Sequence, residues 1–198
     1  MNIQAVSDHL CRFIYFSVAG PGVMGDRDAC KEVDLYDLIE MLPVGYCIIS
    51  DCAYDPTEHM VPVYGSAQRL RAVYDNFNYY ASQLRICIEM AFGLMQMKWG
   101  VLNHSVGVSL KNAKWMIMAI ARLHNFVINE REASHNDAPT EISYCPTVPE
   151  DENGDPILLE PLSGDYPTWS QLREEMTKRV QTLGLEQPAA NRIVNQRN

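Results

Sequence analysis

The sequence has 198 residues, of which 47% are hydrophobic and 21% are charged, so it is long enough and apolar enough to fold around a core. Its 16 Lys and Arg against 25 Asp and Glu give a net charge of −9, which disfavours generic nucleic-acid binding because phosphate affinity comes mainly from basic residues. The longest unbroken apolar run extends only from Trp115 to Ala121 and the N-terminus lacks a signal peptide, so we expect neither membrane insertion nor secretion.

The first part of the chain predicts strands followed by helices. The apolar run Ile3 to Val6 and the aromatic, β-branched run Cys11 to Val18 are typical of strands, and the tight connection between them predicts a hairpin. The pattern then predicts a helix over 27–42, a buried strand over 46–49, and long helices over 76–98 and 110–130. This order of elements indicates an α/β fold with a mixed sheet.

Both long helices carry apolar residues at helical spacing, which predicts the faces that they bury. In the helix over 76–98 the predicted buried residues are Leu84, Ile88, Phe92 and Met95. In the helix over 110–130 they are Ala113, Met116, Ile117, Ile120, Leu123 and Val127. We also expect the indole rings of Trp99 and Trp115 to lie in the core.

Residues 131–198 differ in composition from the residues before them. They hold seven of the eleven prolines, and their 12 acidic against 6 basic residues give a net charge of −6. We therefore predict a folded domain over 1–130 and an irregular, acidic, proline-rich tail over 131–198. One helix is predicted inside the tail, over 168–183, with Thr168 as its N-cap.

Three acidic residues lie within or directly after the predicted hydrophobic elements. Asp8 and Asp51 each follow a short strand, and Glu89 lies inside the helix over 76–98. Three converging carboxylates can hold two Mg²⁺ or Mn²⁺ ions about 4 Å apart for phosphoryl chemistry. The pattern also leaves a structural alternative open: an Asp after a strand is often a turn residue that binds the local backbone, and Glu89 can form a surface ion pair with Arg85.

The segments around these acids resemble the DDE nuclease domain of PIF/Harbinger-type transposases. The resemblance covers roughly residues 2–130 and rests on short motifs that follow one another in the family's order. The motifs are NIQAVSD at 2–8, RF at 12–13, GPGVMGD at 20–26, SDCAY at 50–54, FN at 77–78, RICIEMAFG at 85–93, KW at 98–99 and LHNF at 123–126.

The resemblance implies an RNase H-like fold, in which helices flank a central mixed sheet. It also implies an endonuclease that hydrolyses DNA phosphodiester bonds by a two-metal mechanism, with Mg²⁺ or Mn²⁺ as its ions. Asp8, Asp51 and Glu89 match the family's three acids, which are both catalytic residues and metal ligands. Asp26 matches a further family aspartate, for which capping of the following helix is the simpler interpretation, and we interpret His124 as a hydrogen-bonded packing residue rather than a ligand.

Several residues depart from the family's pattern. Met90 and Gln96 stand where the family has basic residues, Gly25 stands for a histidine and Ser50 for a glycine. Lost basic residues weaken phosphate binding, so these departures reduce the expected affinity for DNA more than that for metal. The sequence also starts close to the first catalytic strand, without the family's helix-turn-helix segment, so we expect a truncated transposase. A separate Myb-like protein, which such elements encode, could supply DNA recognition.

Two functions of different classes are compatible with these observations. The first is a nuclear, metal-dependent nuclease domain derived from a transposase, with DNA as its substrate. The second is a catalytically silent, domesticated or decayed transposase-derived protein, nuclear or cytoplasmic, that acts through protein–protein contacts. The lost basic residues and the acidic tail favour the second function, whereas the three retained acids favour the first. Stabilisation by a divalent metal separates the two, because only an assembled site binds metal in the folded state.

Overall fold

The structure is a computed structural model that describes residues 1–43, 45–105, 107–134 and 168–188. The strands of this part of the chain are β1 (Ile3–Ser7), β2 (Phe13–Val18), β3 (Ile48–Ser50) and β4 (Met60–Pro62). The helices are α1 (Asp26–Glu32), α2 (Leu35–Glu40), α3 (Ala72–Lys98), α4 (Leu110–Ser134) and α5 (Trp169–Thr182). Most of the predicted irregular tail, residues 135–167 and 189–198, lies outside the described residues.

The described residues divide into two compact units. The first unit consists of Met1–Val33 and 85–134, with β1, β2, α1, α4 and the second half of α3. The second unit consists of 34–84 and 168–188, with α2, β3, β4, the first half of α3, and α5. The domain boundary near residue 130 stays a prediction.

In the first unit, β1 and β2 form the predicted antiparallel hairpin. Ile3 pairs with Val18 and Val6 with Tyr15, and the register shifts at a bulge after Val6. The turn includes Cys11, whose φ of 62° lies in the left-handed region. A residue other than glycine keeps this conformation only where its surroundings hold it there, and the contacts of this turn form part of the candidate site.

Helices α3 and α4 pack on the hairpin of the first unit. The buried cluster consists of Cys11, Phe13, Cys87, Ala91, Met95, Ile120 and Ala121. The predicted burial of Met95 on α3 and of Ile120 on α4 is confirmed. The prediction is wrong for Leu84, which is 46% exposed, for Leu123, which is 49% exposed, and for Trp115, which is 62% exposed.

The error on α4 has a physical cause. The side of α4 that is buried carries the small side chains of Ala113 and Ala121 together with the imidazole of His124. The predicted burial of Ala113 is confirmed. Small and polar residues such as Ala121 and His124 contribute little to a hydropathy pattern. The pattern therefore assigns the larger apolar residues Leu123 and Trp115 to the core, although they lie on the outer side.

The second unit is built on the parallel pair β3 and β4. Ile48 pairs with Met60 and Ser50 with Pro62. The sequence pattern does not predict β4, because this strand has only three residues and ends in a proline. The buried cluster on this pair consists of Val61, Tyr64, Phe77, Ala81 and Leu172, contributed by β4, the segment after it, α3 and α5.

Helix α5 confirms the helix predicted inside the tail. Thr168 is its N-cap, and the Oγ1 atom of Thr168 accepts the backbone N–H of Gln171 at 3.4 Å. Leu172, Met176 and Val180 lie one turn apart and belong to the core of the second unit or pack against it. This helix is therefore an integral part of the second unit.

The helix predicted over 27–42 is instead two short helices, α1 and α2. The chain leaves the helical conformation between them, where Asp34 has a φ of 53°. Apolar spacing does not report such a break, because the left-handed conformation changes one residue and leaves the pattern on either side intact. Since α1 belongs to the first unit and α2 to the second, the break coincides with the boundary between the units.

The described residues form a mixed α/β structure, as predicted. Their four strands lie in two two-stranded sheets, one antiparallel and one parallel. The one central mixed sheet that the resemblance implies is not observed in this part of the chain. None of the described helices is both long enough and apolar enough to cross a membrane.

Candidate active site

Asp8 follows β1, and its carboxylate organises the hairpin turn. Oδ1 accepts the backbone N–H groups of Leu10 at 3.0 Å and of Arg12 at 2.9 Å. Oδ2 accepts Nε of Arg12 at 2.6 Å. A carboxylate that binds two backbone donors and a guanidinium is held in one orientation by charge-assisted hydrogen bonds. Asp8 thus makes the turn contacts that the sequence left open as an alternative, and its role as a metal ligand stays a prediction.

The side chain of Arg12 links this turn to α4. Besides its bond to Asp8, the guanidinium donates through Nη1 to Oδ1 of Asn129 at 3.1 Å. The sequence places Arg12 in the RF motif but does not indicate its role, because its partner Asn129 is 117 residues away. The available signal was the pair Asn125 and Asn129, which are one helical turn apart on α4 and therefore lie on one face.

Asn125 binds the residue with which β2 begins. Oδ1 of Asn125 accepts the backbone N–H of Phe13, and Nδ2 donates to the backbone carbonyl of Phe13, each at 2.8 Å. One amide side chain thus satisfies both backbone polar groups of a buried residue. This contact fixes the strand that leads away from Asp8 against α4.

His124 is buried beside Asn125 and supports the strained residue of the turn. Nε2 of His124 donates to the backbone carbonyl of Cys11 at 2.8 Å, and because a carbonyl only accepts, the neutral ring carries its proton on Nε2. Burial lowers the pKa of His124 below its ordinary value, and the bond to Cys11 raises it by a smaller amount. The interpretation of His124 as a hydrogen-bonded packing residue is confirmed.

Asp51 lies in the second unit, directly after β3. Its side chain is half-buried, and Oδ1 accepts the backbone N–H of Ala53 at 3.3 Å. This is the short-range contact of an aspartate that closes a turn. Ser50, just before it, is buried, and its Oγ has no hydrogen-bond partner among the described residues.

Glu89 and Asp26 lie in the first unit on two different helices. Glu89 is exposed on the second half of α3. Asp26 is the first residue of α1, where its charge interacts favourably with the helix dipole, and its Oδ1 accepts Nδ2 of Asn2 at 3.3 Å. The N-cap of α1 is Gly25, which has no side chain to bind the helix, so the capping interpretation of Asp26 is wrong.

The three predicted ligands have the right chemistry for a hard divalent cation, since all are carboxylates. Asp8 and Glu89 belong to the first unit, and Asp51 belongs to the second. Among the described residues, no group of three or more His, Cys, Asp or Glu side chains is arranged to hold a metal ion. Because both oxygens of Asp8 already accept hydrogen bonds, a cation at Asp8 would have to compete with Arg12.

Comparison with known proteins identifies a family over residues 1–125, described as DDE superfamily endonuclease. The matched segment contains Asp8, Asp51 and Glu89, and it ends at Asn125, directly after His124. No curated protein and no solved structure matches the chain. Since the family match covers well over half of the sequence, the chain belongs to the DDE superfamily endonucleases.

Proposed function

We propose that this chain is a transposase-derived nuclease domain of the PIF/Harbinger type that hydrolyses DNA phosphodiester bonds with two Mg²⁺ or Mn²⁺ ions. Asp8, Asp51 and Glu89 would hold the ions. When bound, two such ions activate the attacking oxygen and stabilise the leaving oxygen. The observation that carries the proposal is the family match over residues 1–125, a segment that retains all three acids.

The residues around Asp8 supply the first ligand in a fixed orientation. The backbone N–H groups of Leu10 and Arg12 both bind Oδ1, whereas Nε of Arg12 is the one donor to Oδ2 among the described residues. Oδ2 is therefore the oxygen that can exchange its partner. A cation held by Asp8 would take the place of the Arg12 guanidinium at Oδ2. The guanidinium would then keep its bond from Nη1 to Oδ1 of Asn129.

The low basic content of the chain bears on the substrate. With a net charge of −9, the chain alone should bind DNA weakly, and because few basic residues contact phosphates, that binding should depend only weakly on salt concentration. Weak binding by the chain alone would be compensated by a partner that recognises DNA, such as a Myb-like protein. The proposed location is the nucleus, where such a partner and its DNA are found.

Thermal melting in the presence of Mn²⁺ or Mg²⁺ tests the metal site. The parent chain should be stabilised, by about 2.7 kcal/mol at a hundred times the dissociation constant, and Asp51→Asn should remove this stabilisation. The matched control is Asp55→Asn, which makes the same change of charge in the same loop. This variant should keep the metal-dependent stabilisation of the parent. Cleavage of a plasmid by the parent and by Glu89→Gln then tests the reaction.

A second function, a catalytically silent protein that acts through protein–protein contacts, is favoured by a specific observation. Oδ2 of Asp8 accepts Nε of Arg12 at 2.6 Å, and this contact by itself can hold the turn without metal. The second function predicts that neither ion changes the melting temperature of the parent or of Asp51→Asn. A metal-dependent rise in the parent that Asp51→Asn removes would exclude it.

A further inference from the structure

One face of α4 in the first unit is apolar and open to solvent. Trp115 is 62% exposed and Phe126 is 60% exposed, although both are large aromatic residues. A shallow groove runs along this face and is lined by Trp115, Met118, Ala119, Arg122, Leu123 and Phe126. We call these six residues the α4 seam. Isolated exposed apolar residues are ordinary, but a contiguous apolar patch on a helix is typical of an interaction surface.

The positions that form the α4 seam are symmetric about its midpoint, and two of the three mirrored pairs are apolar. Trp115 and Phe126 are equally far from the point between residues 120 and 121, and Ala119 and Arg122 are also equally far from that point. Trp115 and Phe126 lie eleven residues apart, about 17 Å along the helix. A second α4 that runs antiparallel therefore brings its Phe126 to the level of Trp115, and its Trp115 to the level of Phe126.

The charges at the two ends of this face show the same symmetry. Lys111 lies one turn before Trp115, and Glu130 lies one turn after Phe126, and both residues are exposed. They are equally far from the same midpoint, so antiparallel pairing brings Lys111 of one copy to the level of Glu130 of the other at both ends. Antiparallel helices also place the positive end of each helix dipole beside the negative end of the other.

The centre of the α4 seam accommodates the one charged residue that it contains. Arg122 lies at the level of Ala119 of a second copy, and the small side chain of Ala119 leaves room for the aliphatic stem of Arg122. The guanidinium can remain in water at the edge of the interface. A parallel pairing would instead place Lys111 beside Lys111 and Arg122 beside Arg122, with like charges at both levels.

We propose that the α4 seam binds a second copy of this chain, with the two α4 helices antiparallel across a two-fold axis at residues 120 and 121. Such an interface is self-complementary, because the same patch on each copy contacts its equivalent. Trp115 and Phe126 form the apolar centre of each half, and Lys111 and Glu130 set the register. The contact of a single helix from each copy is small, so the dimer should form reversibly with rising concentration.

Sedimentation of the full chain over a range of micromolar concentrations tests the dimer. We expect a monomer–dimer equilibrium in the parent, and at least a tenfold higher dissociation constant in Trp115→Glu, since each substitution occurs twice in the dimer. Met97→Glu is the matched control, because Met97 is 84% exposed on α3 of the same unit and lies outside the α4 seam. The Met97→Glu variant should dimerise with the dissociation constant of the parent. A parent that is monomeric at every concentration, or a Trp115→Glu variant that dimerises normally, would overturn the proposal.

A charge exchange tests the antiparallel register. Lys111→Glu should weaken the dimer, because it places two acids at the same level, and the double variant Lys111→Glu with Glu130→Lys should restore the dissociation constant of the parent. Far-ultraviolet circular dichroism of each variant should be unchanged, since both positions are exposed. A double variant that dimerises no better than Lys111→Glu would overturn the antiparallel arrangement.

Discussion

Asn125 in the first unit and Asn78 in the second bind the backbone in the same way. In each case Oδ1 accepts the backbone N–H of one residue and Nδ2 donates to the backbone carbonyl of the same residue, which is Phe13 or Tyr64, with all four distances at 2.8 Å. An asparagine on a long helix thus binds the first residue of β2 in the first unit and the segment directly after β4 in the second unit. A two-stranded sheet is too small to be stable alone, and this attachment gives it a layer to pack against.

The two units differ in what covers the rest of their apolar surface. In the second unit, α5 packs on β4 and brings Leu172 into the core, although α5 is far from β4 in the sequence. In the first unit, the outer face of α4 has no such cover among the described residues, and Trp115 and Phe126 are exposed. The comparison indicates that a remote helix completes the second unit, whereas the first unit presents an apolar face that a separate molecule can cover.

The largest expected effect comes from removing the amide in the second unit. Asn78 is buried, so Asn78→Ala leaves both backbone groups of Tyr64 without a partner away from water, at a cost of about 3 kcal/mol. Asn125 is only half-buried, so water can replace its amide, and Asn125→Ala should cost about 1 kcal/mol. Urea unfolding followed by circular dichroism measures both free energies. Equal losses in the two variants would show that burial does not distinguish the two attachments.

The next effect concerns the cation that attaches α5. The guanidinium of Arg173 lies 3.9 Å from the ring centroid of Tyr64 and 4.6 Å from that of Trp169, and Nη1 donates to the carbonyl of Pro62 at 3.2 Å. Arg173→Met keeps most of the aliphatic stem but loses the hydrogen bond and both cation–π contacts, so it should cost about 2 kcal/mol of unfolding free energy.

The control for Arg173→Met is Arg131→Met, the same substitution near the end of α4 and outside the α4 seam. Arg131 is exposed, and a surface substitution of this kind should change the unfolding free energy by no more than about 0.5 kcal/mol. Hydrogen exchange of the peptide that contains β4 identifies where the stability is lost. Unchanged protection of β4 in Arg173→Met would mean that α5 does not support the second unit.

The sequence predicted the elements that local chemistry determines. The hairpin follows from the aromatic and β-branched residues of β2, and α5 follows from the N-cap Thr168. The strand β4 could not be predicted, since its three residues are strand only through pairing with β3. The exposed position of Trp115 could not be predicted either, because hydropathy does not distinguish a face buried in the core from one that is left uncovered.

The same limit applies to the candidate site. The turn contacts of Asp8 are local, and the sequence analysis included them as an alternative. The links from the turn to Asn125, Asn129 and His124 join residues more than a hundred positions apart, and only the fold brings them together. They account for the LHNF motif, whose His124 and Asn125 fix the backbone on either side of Arg12.

A pH-dependent difference between the units follows from His124. Because burial lowers the pKa of His124 below the ordinary value of 6.5, the unfolded chain binds a proton at pH values where the folded ring does not. The contribution to stability is complete above about pH 6.5 and decreases as the pH falls toward the pKa of the folded state. Hydrogen exchange of the hairpin in the first unit should therefore accelerate between pH 7.5 and 5.5, after correction for the intrinsic rate.

His59→Gln and His124→Gln separate this effect from a general effect of acid. His59 lies in the second unit, where Nδ1 contacts the backbone carbonyl of Tyr46 at 2.8 Å, so its replacement should leave the pH dependence of the hairpin in place. His124→Gln should remove most of the pH dependence of hydrogen exchange in the hairpin. A hairpin whose protection is equally pH-dependent in the parent and in His124→Gln would contradict the assignment.

The smallest expected effect concerns Ser50, the buried residue before Asp51. Its Oγ has no hydrogen-bond partner among the described residues, and an unsatisfied buried hydroxyl is unfavourable. Ser50→Ala removes this group with little change of volume, so it should raise the unfolding free energy by about 0.5 kcal/mol. Ser7→Ala on the half-buried end of β1 is the control in the first unit and should change stability less. If Ser50→Ala instead lowered the melting temperature, the hydroxyl would have a partner in the folded protein, and the stability of the end of β3 before Asp51 would depend on it.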